Sequence, residues 1–491
     1  MTSPFVRILS LFVVVCIVCS SSRAASNPVS SRLHLLAGSG NTTYFLVENS
    51  NRDNLLWETD GTSNGTVPVP VLGLFYSGFI AGNSMLVSTY DPSLGFRVWM
   101  TDRTAAGTIT LRPTSQDRIY AAASSPDGSA AYFFVRKDTT AEIWRTDGTA
   151  VGTVKLGEVP NDGNMSAIAA TNTSIVFVAR QGINSFIWSL DMSGAAPQKI
   201  VSGYREQTAA GSGNPALFTL DYFGSIELWK SDGTAAGTSR VRRDFESFAE
   251  VAVHLGALQY FPIADSVHGF ELWRTDGTAG GTTLVVDLTP GPGDSVFHAL
   301  GTMDGLLYFL GSAGGDNGLW RSDGTQSGTA LVKQMPSAFW MGATAHAVYV
   351  SWDDGVHGLE PWRSDGTPAG TTLLRDIRPG LPDSIGTENY NASPRADGRI
   401  VFPANDGITG NELWISDGTT EGTYLLKNIA PEPTIPRRRA IRTVGVAACG
   451  ARPAPRADRC NAASPLITFD SRSTVLTTQK AHPAPETARA R

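Results

Sequence analysis

The stretch Glu271-Leu272-Trp273-Arg274-Thr275-Asp276-Gly277-Thr278-Ala279-Gly280-Gly281-Thr282 decides how this chain reads, because copies of it recur along most of the sequence. Tryptophans stand 41 to 52 residues apart at Trp57, Trp99, Trp144, Trp188, Trp229, Trp273, Trp320, Trp362 and Trp414. Three residues after each comes an aspartate: Asp60, Asp102, Asp147, Asp191, Asp232, Asp276, Asp323, Asp365 and Asp417. Eight of the nine copies continue with Gly-Thr at the eighth and ninth positions after the tryptophan. A fixed period of this size means one supersecondary unit copied along the chain, each copy too small to bury its own apolar face and stable only against its neighbours.

Residues 298–333 show what one unit contains: an apolar stretch at 298–300, a turn at Met303-Asp304-Gly305, a strand-like 306–310, a glycine-rich loop, 318–322 around Trp320, the Asp323-Gly324-Thr325 turn and 329–333. Four short strands separated by turn chemistry are the pattern of a propeller blade. The same order recurs elsewhere, with second strands at 43–47, 132–135, 175–178, 347–350 and 399–402. The fold expected is all-β: a β-propeller of four-stranded antiparallel blades over 26–429. Propellers have four to eight blades, so nine units leave open a wide nine-bladed ring, an eight-bladed ring with one unit displaced, or two smaller propellers. One ring is preferred, and the complete strand content of 164–200 favours nine blades over eight.

Each part of the motif has a structural reason. Along a strand, Glu271 and Trp273 share one face while Leu272, Arg274 and Asp276 share the other. A tryptophan buries up to ~250 Å² and can anchor packing between successive blades. Asp-Gly suits a turn, since aspartate bonds the backbone ahead of it and glycine accepts positive φ. The second Gly-Thr re-enters a strand, where threonine belongs. Glutamates stand two residues before tryptophan at Glu142, Glu227, Glu271, Glu360 and Glu412, and a cation follows it at Arg145, Lys230, Arg274, Arg321 and Arg363. Recurrence in copy after copy points to ion pairs or hydrogen bonds within and between blades, because a catalytic group is expected once, on a loop. Asp91, Asp221, Asp265, Asp354 and Asp406 lie eight residues before a tryptophan. They read as hairpin-turn residues, with calcium ligands as the alternative; calcium takes six to eight oxygens and each site offers one or two carboxylates.

The string Glu-Leu-Trp-x-Ser/Thr-Asp-Gly-Thr-x-x-Gly-Thr resembles the ELWxxDGT repeat family of secreted and surface proteins. The resemblance covers residues 33–429 and implies a β-propeller and export, but no common activity. Two units depart from the pattern: the second has Arg103 where glycine belongs, and the fourth, Phe186-Ile187-Trp188-Ser189-Leu190-Asp191, lacks both Gly-Thr pairs.

The ends of the chain read differently. Residues 1–25 form a secretory signal peptide, with an apolar run at 5–18 behind Arg7 and small residues at Ser22 and Ala24; the run is short for a membrane span, although a retained anchor is the alternative. The mature chain is then expected to lack a span and to be extracellular. Residues 430–491 are a Pro/Ala/Arg-rich tail, expected to be disordered, that carries either an interaction segment or no function. Its Cys449 and Cys460 are the cysteines left once Cys16 and Cys19 depart with the signal, and they form one local disulfide or remain free thiols. The tail is basic and the repeat body acidic, and an acidic body argues against nucleic acid as the main partner. Asn-x-Ser/Thr sequons, candidates for glycosylation, occur at Asn41, Asn64, Asn164, Asn172 and Asn391.

The function expected is a secreted, non-enzymatic scaffold that binds an extracellular protein or glycan through variable loops, of which 202–215 and 379–395 differ most from their counterparts. No cofactor is called for and oligomeric state is left open. The alternatives are a sialidase-like glycoside hydrolase, which needs a cluster of arginines with a tyrosine and an acid, and a quinoprotein-like enzyme. Metalloprotease, Walker, Gly-x-Ser-x-Gly and Cys-x-x-Cys motifs are absent from residues 26–491. The histidines of the body are scattered; His268 and His357, each before a repeat glycine, read as turn residues rather than metal ligands.

Overall fold

The repeats fold as antiparallel sheets. The computed structural model describes most of residues 33–429, with short gaps such as 49–52, 102–106, 209–214, 296–299 and 387–390. The expected signal peptide at 1–25, the tail with Cys449 and Cys460, Asp102 and Asn164 lie outside the described residues. Those residues form nine units of four strands, each a meander in which neighbours in sequence are neighbours in the sheet. The seventh unit runs Leu300–Met303, Leu306–Ala313, Asp316–Ser322 and Ala330–Gln334. The fourth, despite its degenerate motif, keeps all four strands: Met165–Ala170, Ser174–Gln181, Asn184–Asp191 and Gln198–Tyr204.

Units five and six depart from nine separate sheets. The last strand of unit five, Ser239–Phe248, bulges at Asp244 (φ 87°) and continues onto the second strand of unit six, pairing Phe245 with Asp265 and Phe248 with Ile263. It takes the half of Leu258–Asp265 that the short first strand Val253–Leu255 leaves uncovered. Sequence periodicity could not show this, because it is a pairing between copies rather than within one.

The Leu-Trp step of the motif sends one side chain to each neighbour. Trp273 lies in an apolar cluster with Leu217, Leu228 and Phe245 of unit five, whereas Leu272 lies with Leu307, Phe309 and Trp320 of unit seven. The period-2 alternation of a strand makes this division automatic. All nine tryptophans face the preceding unit in this way, and for Trp57 the neighbour is unit nine: its cluster joins Leu33, Phe45 and Val47 to Val401, Leu413 and Ile415. Thr43 Oγ1 also donates to Ser393 Oγ at 3.1 Å, and Ala396 N donates to Gly40 O at 2.9 Å.

At the end where strand three turns into strand four, the Asp-Gly-Thr motif forms a closed hydrogen-bond network. In unit six Thr278 N and Oγ1 both donate to Asp276 Oδ1, at 2.8 and 2.7 Å, and Gly281 N donates to Thr278 Oγ1 at 3.0 Å. Thr282 Oγ1 donates to Thr278 O, and Thr275 Oγ1 bonds Thr282 Oγ1 at 2.7 Å while accepting Gly277 N. The same bonds to the aspartate recur at Asp60, Asp147, Asp232, Asp323, Asp365 and Asp417. The threonine hydroxyl and N–H hold the Asp147, Asp276, Asp323, Asp365 and Asp417 carboxyls below the usual carboxylate range. Gly277 takes φ 83°, and a Cβ on Gly281 would lie 2.0 Å from Asp276 Oδ1. The two glycines are thus required for different reasons, one conformational and one steric. In the degenerate unit Asp191 keeps only the shorter turn, accepting Ser193 N at 2.7 Å.

Candidate functional site

Two columns of recurring cations are used to join units. Arg274 Nη1 donates to Gly324 O of the next unit at 3.1 Å, and Arg321 Nη1 to Gly366 O at 3.2 Å. A second cation, thirteen residues after tryptophan, reaches the carbonyl of the last motif threonine in the next unit: Arg242 to Thr282, Lys333 to Thr371, Arg375 to Thr423 and Lys427 to Thr66. Arg242, Lys333 and Arg375 also stand 4.6, 5.3 and 5.7 Å from the ring centroids of Trp273, Trp362 and Trp414. Sequence reading missed this column, although its constant offset was visible. At the joint from unit nine to unit one, where Ile415 replaces the cation, Arg395 donates to Asp60 O at 2.6 Å and Arg399 to Gly61 O at 3.3 Å. Asp397 pairs with both arginines; burial would raise its carboxyl, but the two guanidinium groups hold it down at about 2.

The Asp-Gly-Thr end is therefore engaged in holding the sheets together. Asn41, Asn64 and Asn172 are exposed on turns there, and Asn391 is exposed before Ser393–Pro394. The sequon hydroxyls of Thr43, Thr66 and Ser393 are buried in structural bonds.

The opposite end, made of the hairpins between strands two and three and the connections from strand four to the next unit, is built otherwise. Glutamate before tryptophan has two uses. Glu142 and Glu227 accept the indole N–H of Trp144 and Trp229 at 3.0 Å and pair with Lys155 and Arg240. Glu271 and Glu360 are fully buried and turn to the connection instead. Glu271 accepts Leu288 N, Thr289 N and Ser295 Oγ, at 3.0, 3.4 and 2.6 Å; Glu360 accepts Ile377 N, Arg378 N and Ser384 Oγ, at 3.0, 3.1 and 2.6 Å. Burial pushes both carboxyls up to about 7 against those donors, with Asp287 and Asp376 adding to the rise. The connections share a pattern, Asp287-Leu288-Thr289-Pro290-Gly291 through Asp294-Ser295 and Asp376-Ile377-Arg378-Pro379-Gly380 through Asp383-Ser384. Asp294 and Asp383 accept Phe270 N and Leu359 N, at 2.9 and 2.8 Å. This corrects the sequence reading of 379–395 as one of the loops that differ most from their counterparts: its first part repeats the connection of unit six.

The hairpin aspartates bond their own turns. Asp265 accepts Val267 N and His268 N, Asp354 accepts Val356 N and His357 N, and Asp406 accepts Ile408 N and Thr409 N. The rings of His268 and His357 bond back to Asp265 and Asp354, at 3.0 and 2.8 Å. These turns lift Val267, Val356 and Ile408 into solvent, 61%, 63% and 87% exposed at equivalent positions, with Leu381 at 71% on the eighth unit's connection.

Unit seven breaks the pattern. Gly318 occupies the glutamate position, and a cleft of about 230 Å³ opens between Leu310, Gly311, Ser312, Asn317, Gly318, Met335, Ser337 and Ala338.

No family model matches the chain, and no curated protein matches it. Among solved structures it resembles the acylaminoacyl peptidase of Pyrococcus horikoshii, at 12% identity over 68% of this chain and 57% of that one, with a TM-score of 0.36. It also resembles dipeptidyl peptidase 4 of Porphyromonas gingivalis, at 10% over 71% and 60%, TM-score 0.48. For the β-propeller domain of the Trilobed protease from Pyrococcus furiosus the values are 12% over 81% and 98%, TM-score 0.36. The chain is built as a β-propeller-like repeat fold. It spans 57–60% of the length of the two peptidases, and superpositions this loose carry no argument about chemistry.

Proposed function

We propose that the nine four-stranded units close into one ring, a nine-bladed propeller of the ELWxxDGT kind, exported from the cell and used as a binding scaffold for a protein ligand. Closure is supported by the joint between units nine and one, which has the same indole cluster as the other eight together with its own arginines. The binding face is the rim of strand two–three hairpins and connections. The observation that carries this reading is the contrast between the two ends. Carbonyls of the Asp-Gly-Thr rim are taken up by joints and its strongly exposed aliphatic, Val151, stands in one unit, whereas the hairpin rim raises Val267, Val356 and Ile408 into water at equivalent positions of units six, eight and nine, the first two of which flank the cleft of unit seven. Glycans on Asn41, Asn64 and Asn172 would stand on the former rim, and one on Asn391 on the unit eight connection of the latter. Exposed apolar side chains at corresponding positions on a rigid frame suit protein contact.

The test is a display screen of peptides and a glycan array against the full chain, followed by substitution of each rim. Ligands recovered should be lost by the combined Val267→Asp, Val356→Asp and Ile408→Asp change and kept by Val151→Asp, on the Asp-Gly-Thr rim. The reverse pattern contradicts the reading. The hydrolase alternative, sialidase-like or acting on peptides, predicts instead cleavage of array members by the purified chain.

A further inference from the structure

The cleft of unit seven lies where the hairpin rim departs from its own repeat. In units six and eight the buried glutamate and the folded-back connection fill this position. In unit seven a Cβ at residue 318 would lie 2.1 Å from Lys333 O, so the backbone itself has moved into the space a glutamate would need. The connection is short: Met335 N donates to Asn317 O at 2.9 Å, and Ser337 turns the chain in the left-handed region at φ 60° before Phe339–Ala343 begins. A non-glycine residue there is held in an unfavourable conformation, which directs attention to the cleft it borders.

We propose that this cleft is an anchor pocket for one aliphatic or thioether side chain of an extended peptide segment that carries lysine or arginine beside the anchor; the proposal rests on the hairpin rim being the binding face. The cleft is smaller than the roughly 300–1,000 Å³ of pockets that enclose a whole small ligand, so it receives one group of a larger partner. Its lining holds no charged side chain. Leu310, Met335 and Ala338 are buried and supply an apolar wall, and methionine adapts to differently shaped guests. Ser312, Asn317 and Ser337 supply hydroxyls and an amide that bond no described side chain, suited to the main chain flanking an anchor. The surroundings are acidic: Asp294, Asp353, Asp354 and Asp383 stand on the hairpins and connections of the two adjacent units, against two arginines, of which Arg375 is engaged with Thr423 O of unit nine and Arg378 with Asp383 O. An uncharged pocket within an acidic rim selects an apolar anchor with cationic neighbours.

The experiment uses the full chain and a fluorescent pentapeptide library with lysine at both ends, glycine at positions two and four, and the central residue varied. Binding should favour leucine, isoleucine and methionine over alanine by about tenfold or more, the weight of a buried anchor, and should vanish when glutamates replace the lysines. Ser312→Trp, which fills the cleft, and Asn317→Trp, which plugs its mouth from an exposed position, should each weaken the leucine peptide by about tenfold, with Val151→Asp unchanged. The two plugs keep the test valid if one of them disturbs folding, as a melting curve would show. Equal affinity for alanine and leucine, indifference to both plugs, or no peptide binding overturns the proposal. So does binding of maltohexaose that the plugs abolish, which would make the cleft a carbohydrate site. Binding lost in the Val267→Asp, Val356→Asp, Ile408→Asp protein but kept with both plugs would remove the anchor and leave the rim. Binding kept in all variants would remove the rim reading itself.

Discussion

In the Asp-Gly-Thr-x-x-Gly-Thr turn the second glycine stands where the aspartate carboxylate must be. A methyl on Gly370 would lie 2.0 Å from Asp365 Oδ1, and the carboxylate could move aside only by giving up its two bonds to Thr367. Gly370→Ala should therefore cost about 1–3 kcal/mol in denaturant unfolding. Gly280→Ala is the matched contrast: a Cβ there meets nothing within 4 Å and its backbone is ordinary, so the change should be neutral or stabilise by up to about 1 kcal/mol. Titration supplies a second prediction. The buried Glu271 and Glu360 carboxyls are raised from 4.5 to about 7, so the native state holds these protons more tightly than the unfolded chain. Their contribution is fully present below about pH 4.5 and is lost as pH rises through 7. The motif aspartates are depressed, so theirs is present above about 3.8 and lost as pH falls. Glu271→Gln with Glu360→Gln should flatten the loss of stability between pH 5 and 8 while leaving the acid limb in place. At this scale Trp, Asp and Gly were legible because each recurs with a physical reason. The bonds made by the hydroxyl preceding the aspartate, by the cation thirteen residues after tryptophan and by the buried glutamates were not, since their partners lie in another strand, a connection or another unit.

Strand three is the element on which the sheets are mounted, because Leu272 and Trp273 leave it in opposite directions into two different clusters. Removing the indole should open one joint rather than one sheet. Trp414→Ala, at a ring only 5% exposed and shared by units eight and nine, should cost about 3–5 kcal/mol. Trp188→Ala, at a half-buried ring, should cost less, as hydrogen exchange of the flanking strands and equilibrium unfolding would both report. Strand order and second strands were readable from alternation and turn residues. First strands were the weakest: 298–300 was expected where the structure places Leu300–Met303. A short first strand carries little periodicity, and that of unit six shares its neighbour with the strand before it. The connections of units six and eight were hidden because their order comes from a buried carboxylate, not from any period along the chain.

At the scale of the molecule, a row of nine four-stranded units either ends in two free faces or meets itself. Nine units in an open stack have eight joints; the proposed ring rests on a ninth cluster, between Phe45 and Val47 on one side and Val401, Leu413 and Ile415 on the other. Among the described residues no strand crosses this joint, since units one and nine each draw all four strands from their own end of the chain. It is held instead by apolar packing, by Arg395, Arg399 and Lys427 on the carbonyls of unit one, and by the bond from Thr43 to Ser393. The number of copies was countable in the sequence, but whether the last meets the first depends on the small rotation between neighbours, which no motif encodes. The measurement that bears on this most directly is mass spectrometry of the oxidised Thr43→Cys, Ser393→Cys protein after proteolysis. A closed ring predicts a disulfide-linked peptide joining positions 43 and 393 in good yield, and free thiols at both positions in a natively folded protein would contradict it.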